Sequence, residues 1–360
     1  MAKDTKKIVV KIGSSVIAPE GKLDSNLILQ LVKDILLVEK KGYKVVLVSS
    51  GAIACGFNQL KLKKRPSSMH ALMAISSLGQ IILMDMFNSK FKKYKRNCAQ
   101  ILLTWDDFDI RQRYINISKT IKELLSINVI PIINENDVVS HEEISIGDND
   151  RLSAFVADLI GAEQLIILSD VEGLFDQKRL IKQVDRIDNK IRAFVKKQDK
   201  THTKGGMDTK LDAATKANLS GIKTVIANGR KKNVISRIVA AESIGTLFLP
   251  CKDIEKSRKR WIDSKKIKGV VIIDAGAKEA LLNKGKSLLG VGIIEVRSKF
   301  NKGDAVMVVD SQEDVLGCGL INYGSDDFKN SKTKRFEKEV IHRDNFVKAA
   351  HGWTDYKNKK

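Results

Sequence analysis

"IVVKIGSSV", residues 8 to 16, sets a five-residue strand pattern directly against a Gly-Ser-Ser turn. Val and Ile favour extended backbone because their branched β-carbons suit a pleated surface. A short apolar run that ends in a turn signal is the form of a strand buried on both faces. The same form returns in "KVVLV" (44 to 48), "VIPII" (129 to 133), "QLIIL" (164 to 168), "TVIA" (224 to 227) and "TLFL" (246 to 249). Between these runs lie stretches such as "NLILQLVKDILLVEK" (26 to 40) and "INISKTIKELLSI" (115 to 127), with apolar residues at helical spacing. This alternation predicts an α/β fold, a largely parallel sheet sandwiched by helices. Ligands in such folds sit where strands end and loops begin, so the turns after these runs are the candidate sites.

The 360 residues are 43% hydrophobic and 30% charged, which is the balance of a globular protein with room for two domains. No apolar run approaches the ~18 residues of a membrane helix. "MAKDTKK" leads straight into the first strand without the apolar core and cleavage site of a signal peptide, so the expectation is a cytoplasmic protein with no membrane attachment. Cys55, Cys98, Cys251 and Cys318 form no C-x-x-C pair and suggest neither a zinc site nor a disulfide framework. The formal net charge of +21 is carried mostly by lysines spread over every segment, which reads as a composition bias rather than a nucleic-acid-binding stripe.

The pattern changes near residue 250. "CKDIEKSRKRWIDSKK" (251 to 266) is charged and poor in apolar residues, and the segment after it is Gly-rich with short strands. The expected organisation is an α/β domain over 1–256, a linker over 257–264, a small β-rich module over 265–346 and a tail over 347–360. Within the module, "ALLNKGKS" (280 to 287) imitates the end of a phosphate-binding P-loop, but Ala280 stands where its first Gly belongs.

Four stretches have the residue types for chemistry. In "VVKIGSSV", Lys11 closes a strand and Gly13 opens a turn that can offer backbone N–H groups to a phosphate; the alternative is a solvated surface lysine. In "VLVSSGAIACG", Ser50, Gly51 and Ala52 put small residues at a helix start, suited either to an anion or simply to close packing. In "HTKGGMDTKLDAATKA" (202 to 217), Asp208 or Thr209 can cap a helix whose first turn holds Lys210. A cation is disfavoured at that helix end, so Lys210 needs a negative partner, and a phosphate is the favoured one. Finally, "IINENDVVSHEEISIGDNDRLSAFVA" (132 to 157) gathers acids and amides inside a basic chain. Asp148 or Asn149 can cap a helix that begins near Asp150. That leaves "NEND" unexplained unless the loop meets a ligand's ammonium, or a metal and lysines that need orienting.

Taken in order, "VVKIGSS", "SSGAIACG", "PIINENDVV", "IGDNDRLSA", "LSDVEGLF" and "GGMDTKLDAA" resemble the signature set of the amino acid kinase family, in particular its glutamate-phosphorylating members. The downstream segment resembles a PUA domain. The resemblance implies ATP with Mg2+, and transfer of the γ-phosphoryl group to the side-chain carboxylate of L-glutamate as the first step of proline synthesis. It makes Lys11 and Lys210 the lysines that contact the transferring group, with Asp150 orienting them. Ser50, Gly51, Asn134, Asp137, Asp148 and Asn149 match positions around glutamate. Lys11, Gly13, Ser169, Asp170, Lys204, Gly205, Gly206, Met207, Asp208, Thr209 and Lys210 match the nucleotide side, and no residue is assigned as a metal ligand. The resemblance also implies homo-oligomers, commonly tetramers, and inhibition by proline. Two departures stand out: "THTKGGM" (201 to 207) puts His202 and Lys204 into a turn that the family builds from small residues, and the segment after Gly173 is shortened.

Rival readings are weaker. A kinase for N-acetylglutamate has no free ammonium to bind, which leaves Asp137 and Asp148 without purpose, and the small module does not resemble the regulatory domains of aspartokinases. An RNA-binding protein with a degenerate kinase domain is at odds with two intact lysines and an intact acidic cluster; weak, salt-dependent RNA binding by the module is the most its lysines suggest.

Overall fold

Strand β1 (Lys7–Ile12) shows how the sequence builds the first layer. Strand side chains alternate between faces, so Ile8, Val10 and Ile12 enter one apolar cluster with Leu31, Ile35 and Phe87, while Val9 enters another with Ala154, Ala157 and Ala214. The computed structural model describes residues 6–64, 66–139, 149–196, 206–251, 259, 262, 265, 267–330, 336 and 338–349. The chain divides into two units, Met1–Ile254 and Glu255–Lys360.

After β1 the first unit runs through α1 (Ser14–Ile17), α2 (Ser25–Lys40), β2 (Lys44–Ser49), α3 (Ala52–Gln59), α4 (Met69–Lys92), β3 (Cys98–Leu103), α5 (Trp105–Asp109), α6 (Arg111–Ser126) and β4 (Ile130–Glu135). It continues with α7 (Asn149–Ile160), β5 (Gln164–Ser169), the short strands β6 (Phe175–Asp176), β7 (Arg179–Leu180) and β8 (Gln183–Val184), then α8 (Asn189–Lys196), α9 (Met207–Leu219), β9 (Lys223–Asn228), α10 (Val234–Val239) and β10 (Thr246–Phe248). The main sheet has the order β3-β4-β2-β1-β5-β9-β10-β8. Its pairings are parallel except β9 with β10. From β1 the chain fills one side of the sheet through β2, β4 and β3, and the other through β5 and β9. Such a reversal opens a crevice at the carboxyl end of β1.

Helices α6, α7 and α9 supply the cluster on one face, and α2, α4 and α10 the cluster on the other. Asp34 of α2 is buried and accepts the N–H groups of Ile235 (2.7 Å) and Ser236 (3.0 Å), which docks the start of α10. Helix α4 is, among the described residues, the one helix long and apolar enough to cross a bilayer by length and composition. Leu83, Phe87 and Phe91 spend its apolar face in the core. A β-carbon on its Gly79 would lie 1.8 Å from the Ala52 carbonyl oxygen, so α4 and α3 touch backbone to backbone.

The second unit contains β11 (Ile267–Ile273), α11 (Ala275–Leu282), β12 (Ile293–Arg297), β13 (Ala305–Asp310), β14 (Val315–Leu320), α12 (Ser325–Asn330) and β15 (Phe346–Lys348). The strands form one sheet, β12-β11-β13-β14-β15, over a core that includes Val271, Ile273, Val306, Val308 and Phe346. Strand β15 runs past the expected module end at 346, because Cys318 pairs with Val347 and Gly317 with Lys348. "ALLNKGKS" begins in the last turn of α11 rather than after a strand, and lacks the setting of a P-loop. The expected linker and tail lie almost wholly outside the described residues.

Candidate active site

The alternation that buries Val9 puts Lys11 on the same face of β1, the face covered by α7 and α9. Lys11 is therefore no surface lysine: it is 5% exposed. Asp150 stands in the first turn of α7, 1% exposed, and Lys210 in the first turn of α9, 6% exposed. The Lys11 Nζ lies 2.6 Å from Asp150 Oδ1, and the Lys210 Nζ 3.3 Å from Asp150 Oδ2. Ala154, Ala157, Ala213, Ala214 and Ala217 keep the two helices thin enough for both first turns to reach one strand end.

Lys210 thus finds its negative partner in a carboxylate. The expected side-chain cap of its helix is absent: Gly206 takes the N-cap position, and Thr209 Oγ1 instead donates to Asp150 Oδ2 at 2.9 Å and lies 3.0 Å from the Gly206 carbonyl oxygen. Burial alone pushes the Asp150 carboxyl up, but the adjoining Lys11 and Lys210 charges and the Thr209 hydroxyl outweigh it and hold the pKa below the usual aspartate value. Burial and the nearby Lys210 push the Lys11 ammonium below its ordinary value against the pull of Asp150. One carboxylate thus holds both lysines.

On the other side of the crevice the amides converge. Asn149 Nδ2 reaches Ser50 Oγ (2.9 Å), Asn134 Oδ1 (2.9 Å) and the Ser49 carbonyl (3.3 Å). Asn134 Nδ2 donates to Gln80 Oε1 at 2.8 Å, and the Ser76 hydroxyl donates to Asp137 Oδ2. Burial raises the Asp137 pKa, with the Ser76 hydroxyl opposing it. Gly51 holds φ 110° at the start of α3, a backbone conformation that a β-carbon disfavours. The turns offer fewer free donors than expected. The Ser50 N–H is bonded to the Ile12 carbonyl (3.1 Å) and the Gly13 N–H to the Leu168 carbonyl (3.0 Å), because both continue the sheet ladder.

Ser169 ends β5, and its hydroxyl lies 3.0 Å from Asp170 Oδ1. Gly206, Met207 and Asp208 lead into α9 beside the lysines. Asp148, Lys204 and Gly205 lie outside the described residues. Sequence reasoning missed Ser76 and Gln80. Their signal was available: a serine and a glutamine four apart on a helix face otherwise filled by Leu72, Ile75, Leu83 and Phe87.

Residues 6–228 match the model of the amino acid kinase family. The chain belongs to the amino acid kinase family. Residues 269–343 match the PUA domain model. A glutamate 5-kinase of Caldanaerobacter subterraneus subsp. tengcongensis is 42% identical, covering 95% of this chain and 97% of its own. One from Nitrosospira multiformis is 41% identical, covering 96% and 98%. A solved carbamate kinase from Giardia lamblia bound to AMP-PNP has the same fold, with a TM-score of 0.50 at 18% identity over 69% of this chain and 99% of that one. In this amino acid kinase, Lys11 at the end of β1 and Lys210 in the first turn of α9 meet on Asp150.

Proposed function

We propose that the protein is an ATP-dependent glutamate 5-kinase, which transfers the γ-phosphoryl group to the side-chain carboxylate of L-glutamate and forms L-glutamyl 5-phosphate, the first step of proline synthesis. The observation that carries this reading is the Lys11–Asp150–Lys210 cluster, two buried ammonium groups on one carboxylate.

The acceptor carboxylate has an unperturbed pKa of about 4.3, so it is ionised at neutral pH and needs no general base. One of its oxygens bonds to the γ-phosphorus as the bond from that phosphorus to the leaving oxygen of ADP breaks. The obstacle is bringing an anion against a polyanion. Lys11 and Lys210 lower it with fixed positive charge where negative charge develops, and Asp150 holds both in line. Asn134, Asn149, Ser50 and Gly51 surround the acceptor, and Asp137 and Asp148 offset its α-ammonium. Gly13, Ser169, Asp170 and residues 204–210 face the nucleotide. No cluster of three or more His, Cys, Asp or Glu side chains able to hold a metal occurs among the described residues. Mg2+ would enter as part of Mg-ATP and neutralise phosphate charge.

Proline shares glutamate's α-carboxylate and a cationic amine, so it competes for the same amides and acids. The protein acts in the cytoplasm as a homo-oligomer, a tetramer by family likeness, and its PUA domain binds RNA weakly. The deciding experiment is an ADP-release assay with glutamate, aspartate and N-acetylglutamate, repeated with proline. Turnover with glutamate alone supports the reading; turnover with N-acetylglutamate alone overturns it.

A further inference from the structure

We infer that Gln80 is a positioning residue for the acceptor side of the site, assisted by Ser76 one turn earlier on α4. The inference rests on the glutamate reading above and concerns two residues outside the lysine cluster. Both are buried, Ser76 at 3% and Gln80 at 8% exposed, on a helix face whose other members are apolar. A buried glutamine on such a face is retained where its amide has a partner to hold.

The partners form a directed chain. The backbone N–H of Glu135 donates to Asn134 Oδ1 at 2.9 Å, which fixes that end of the amide as oxygen. Asn134 Nδ2 therefore turns towards Gln80 and meets Oε1 at 2.8 Å. The Ser49 carbonyl can only accept, so the end of Asn149 that faces it at 3.3 Å is Nδ2, and the same nitrogen meets Asn134 Oδ1 at 2.9 Å. Direction is thus set by the Glu135 N–H and the Ser49 carbonyl, and Gln80 Oε1 is the acceptor that it requires at the Asn134 end. What remains at the far end is Asn149 Oδ1, buried and without a hydrogen-bond partner among the described residues. A buried acceptor left open in this way is suited to a ligand that brings donors.

An amino acid with a free ammonium brings three donors and a positive charge, whereas an acylated nitrogen brings one donor and none. Gln80 thus acts on selectivity through Asn134: it supplies the acceptor that the chain's direction requires. Replacing it by an apolar side chain strands the Asn134 amide N–H groups and loosens the hold on Asn149.

The test is steady-state kinetics on the full chain, with KM measured for ATP and for glutamate, aspartate and N-acetylglutamate. Gln80→Met should raise the KM of the acceptor that the wild type uses by about tenfold, while kcat and the KM for ATP stay within about twofold. Gln80→Glu, which keeps an acceptor at that place, should recover most of the loss. An unchanged acceptor KM in folded Gln80→Met, or a joint rise of both KM values, overturns the inference. If Gln80→Met does not fold, Ser76→Ala carries the test, with a selective rise in acceptor KM expected and an unchanged value counting against it. A wild type that refuses glutamate but uses another of the three acceptors overturns the glutamate reading instead, and the Gln80 comparison is then made on that acceptor.

Discussion

Two lysine–aspartate contacts in this molecule use the same chemistry on a buried aspartate, one with its lysine open to water and one with its lysines enclosed. In the second unit the Lys278 Nζ meets Asp310 Oδ2 at 2.7 Å with 42% of the lysine side chain exposed, and Asp310 also accepts the N–H groups of Gln312 (3.0 Å) and Asp314 (2.9 Å), closing the turn from β13 to β14. There the hydrogen bond to Asp310 raises the lysine's pKa. In the first unit the Lys11 and Lys210 side chains are 6% and 8% exposed on an aspartate that is 1% exposed, and the Lys11 pKa is lowered, first of all by burial. Asp310 is itself buried, but its lysine is open to water, which screens the pair and keeps its contribution small. The buried trio of Lys11, Asp150 and Lys210 lacks that screen, so its charges act on one another far more strongly.

The comparison breaks most visibly at the lysines. Lys210→Ala and Lys11→Ala should each lower kcat by about a hundredfold or more, with a smaller effect on the KM for glutamate, because a preorganised charge counts most in the transition state. A folded Lys210→Ala with near-normal kcat would show that the cluster is structural only.

Asp150→Asn comes next. It leaves two buried ammonium groups without their counter-charge, a change that typically costs about 3–5 kcal/mol, and turnover should slow with little change in glutamate affinity. Its pH signature has a definite sign. Asp150 titrates below its unfolded value of about 3.9, so its stabilisation is complete above that value and is lost as pH falls through the folded pKa. Thermal melts from neutral to acid pH should therefore fall more steeply in the wild type than in Asp150→Asn.

A smaller effect is expected at Asp137. Asp137→Asn should raise the KM for glutamate by about tenfold and leave kcat nearly intact, since a neutral amide cannot offset an ammonium. Burial lifts the Asp137 pKa, so the wild-type KM should begin to rise at a pH above the ordinary aspartate range as the medium is acidified. The substitution should flatten that rise.

At the other end of the scale, Lys278→Ala should leave kcat and both KM values unchanged, as should truncation after Ile254, because every residue assigned to the chemistry precedes 230 and the first unit has its own cores. Loss of kcat in either variant would give the second unit a part in the chemistry.

Much of this was legible in the chain itself. The β-branched runs marked five of the six strands in the main parallel array, since their apolar content reflects burial on both faces; β3 escaped because it lies at the sheet edge and opens with Cys-Ala-Gln. Strand β10 was found but not its direction, which depends on its neighbour β9 and not on its own residues. Helix α2 was readable over 26 to 40, while its cap, Asp24, which accepts from Asn26 and Leu27, came only with the structure.

The site divides in the same way. Residue type and order established by themselves that Lys11, Lys210 and the acid-rich stretch around Asp150 stand at strand and helix ends, because turns and first turns are local features. Tertiary structure put Asp150, which the resemblance had made the orienting residue, within 3.3 Å of Lys210, and alone decided that Thr209 serves that carboxylate rather than capping its helix and that the N–H groups of Gly13 and Ser50 are already taken by the sheet. It also brought in Ser76 and Gln80 from a helix that shows no chemistry when read alone. The physical reason is that a charge or an amide has a direction and a partner only once other segments surround it, and those partners come from distant parts of the chain.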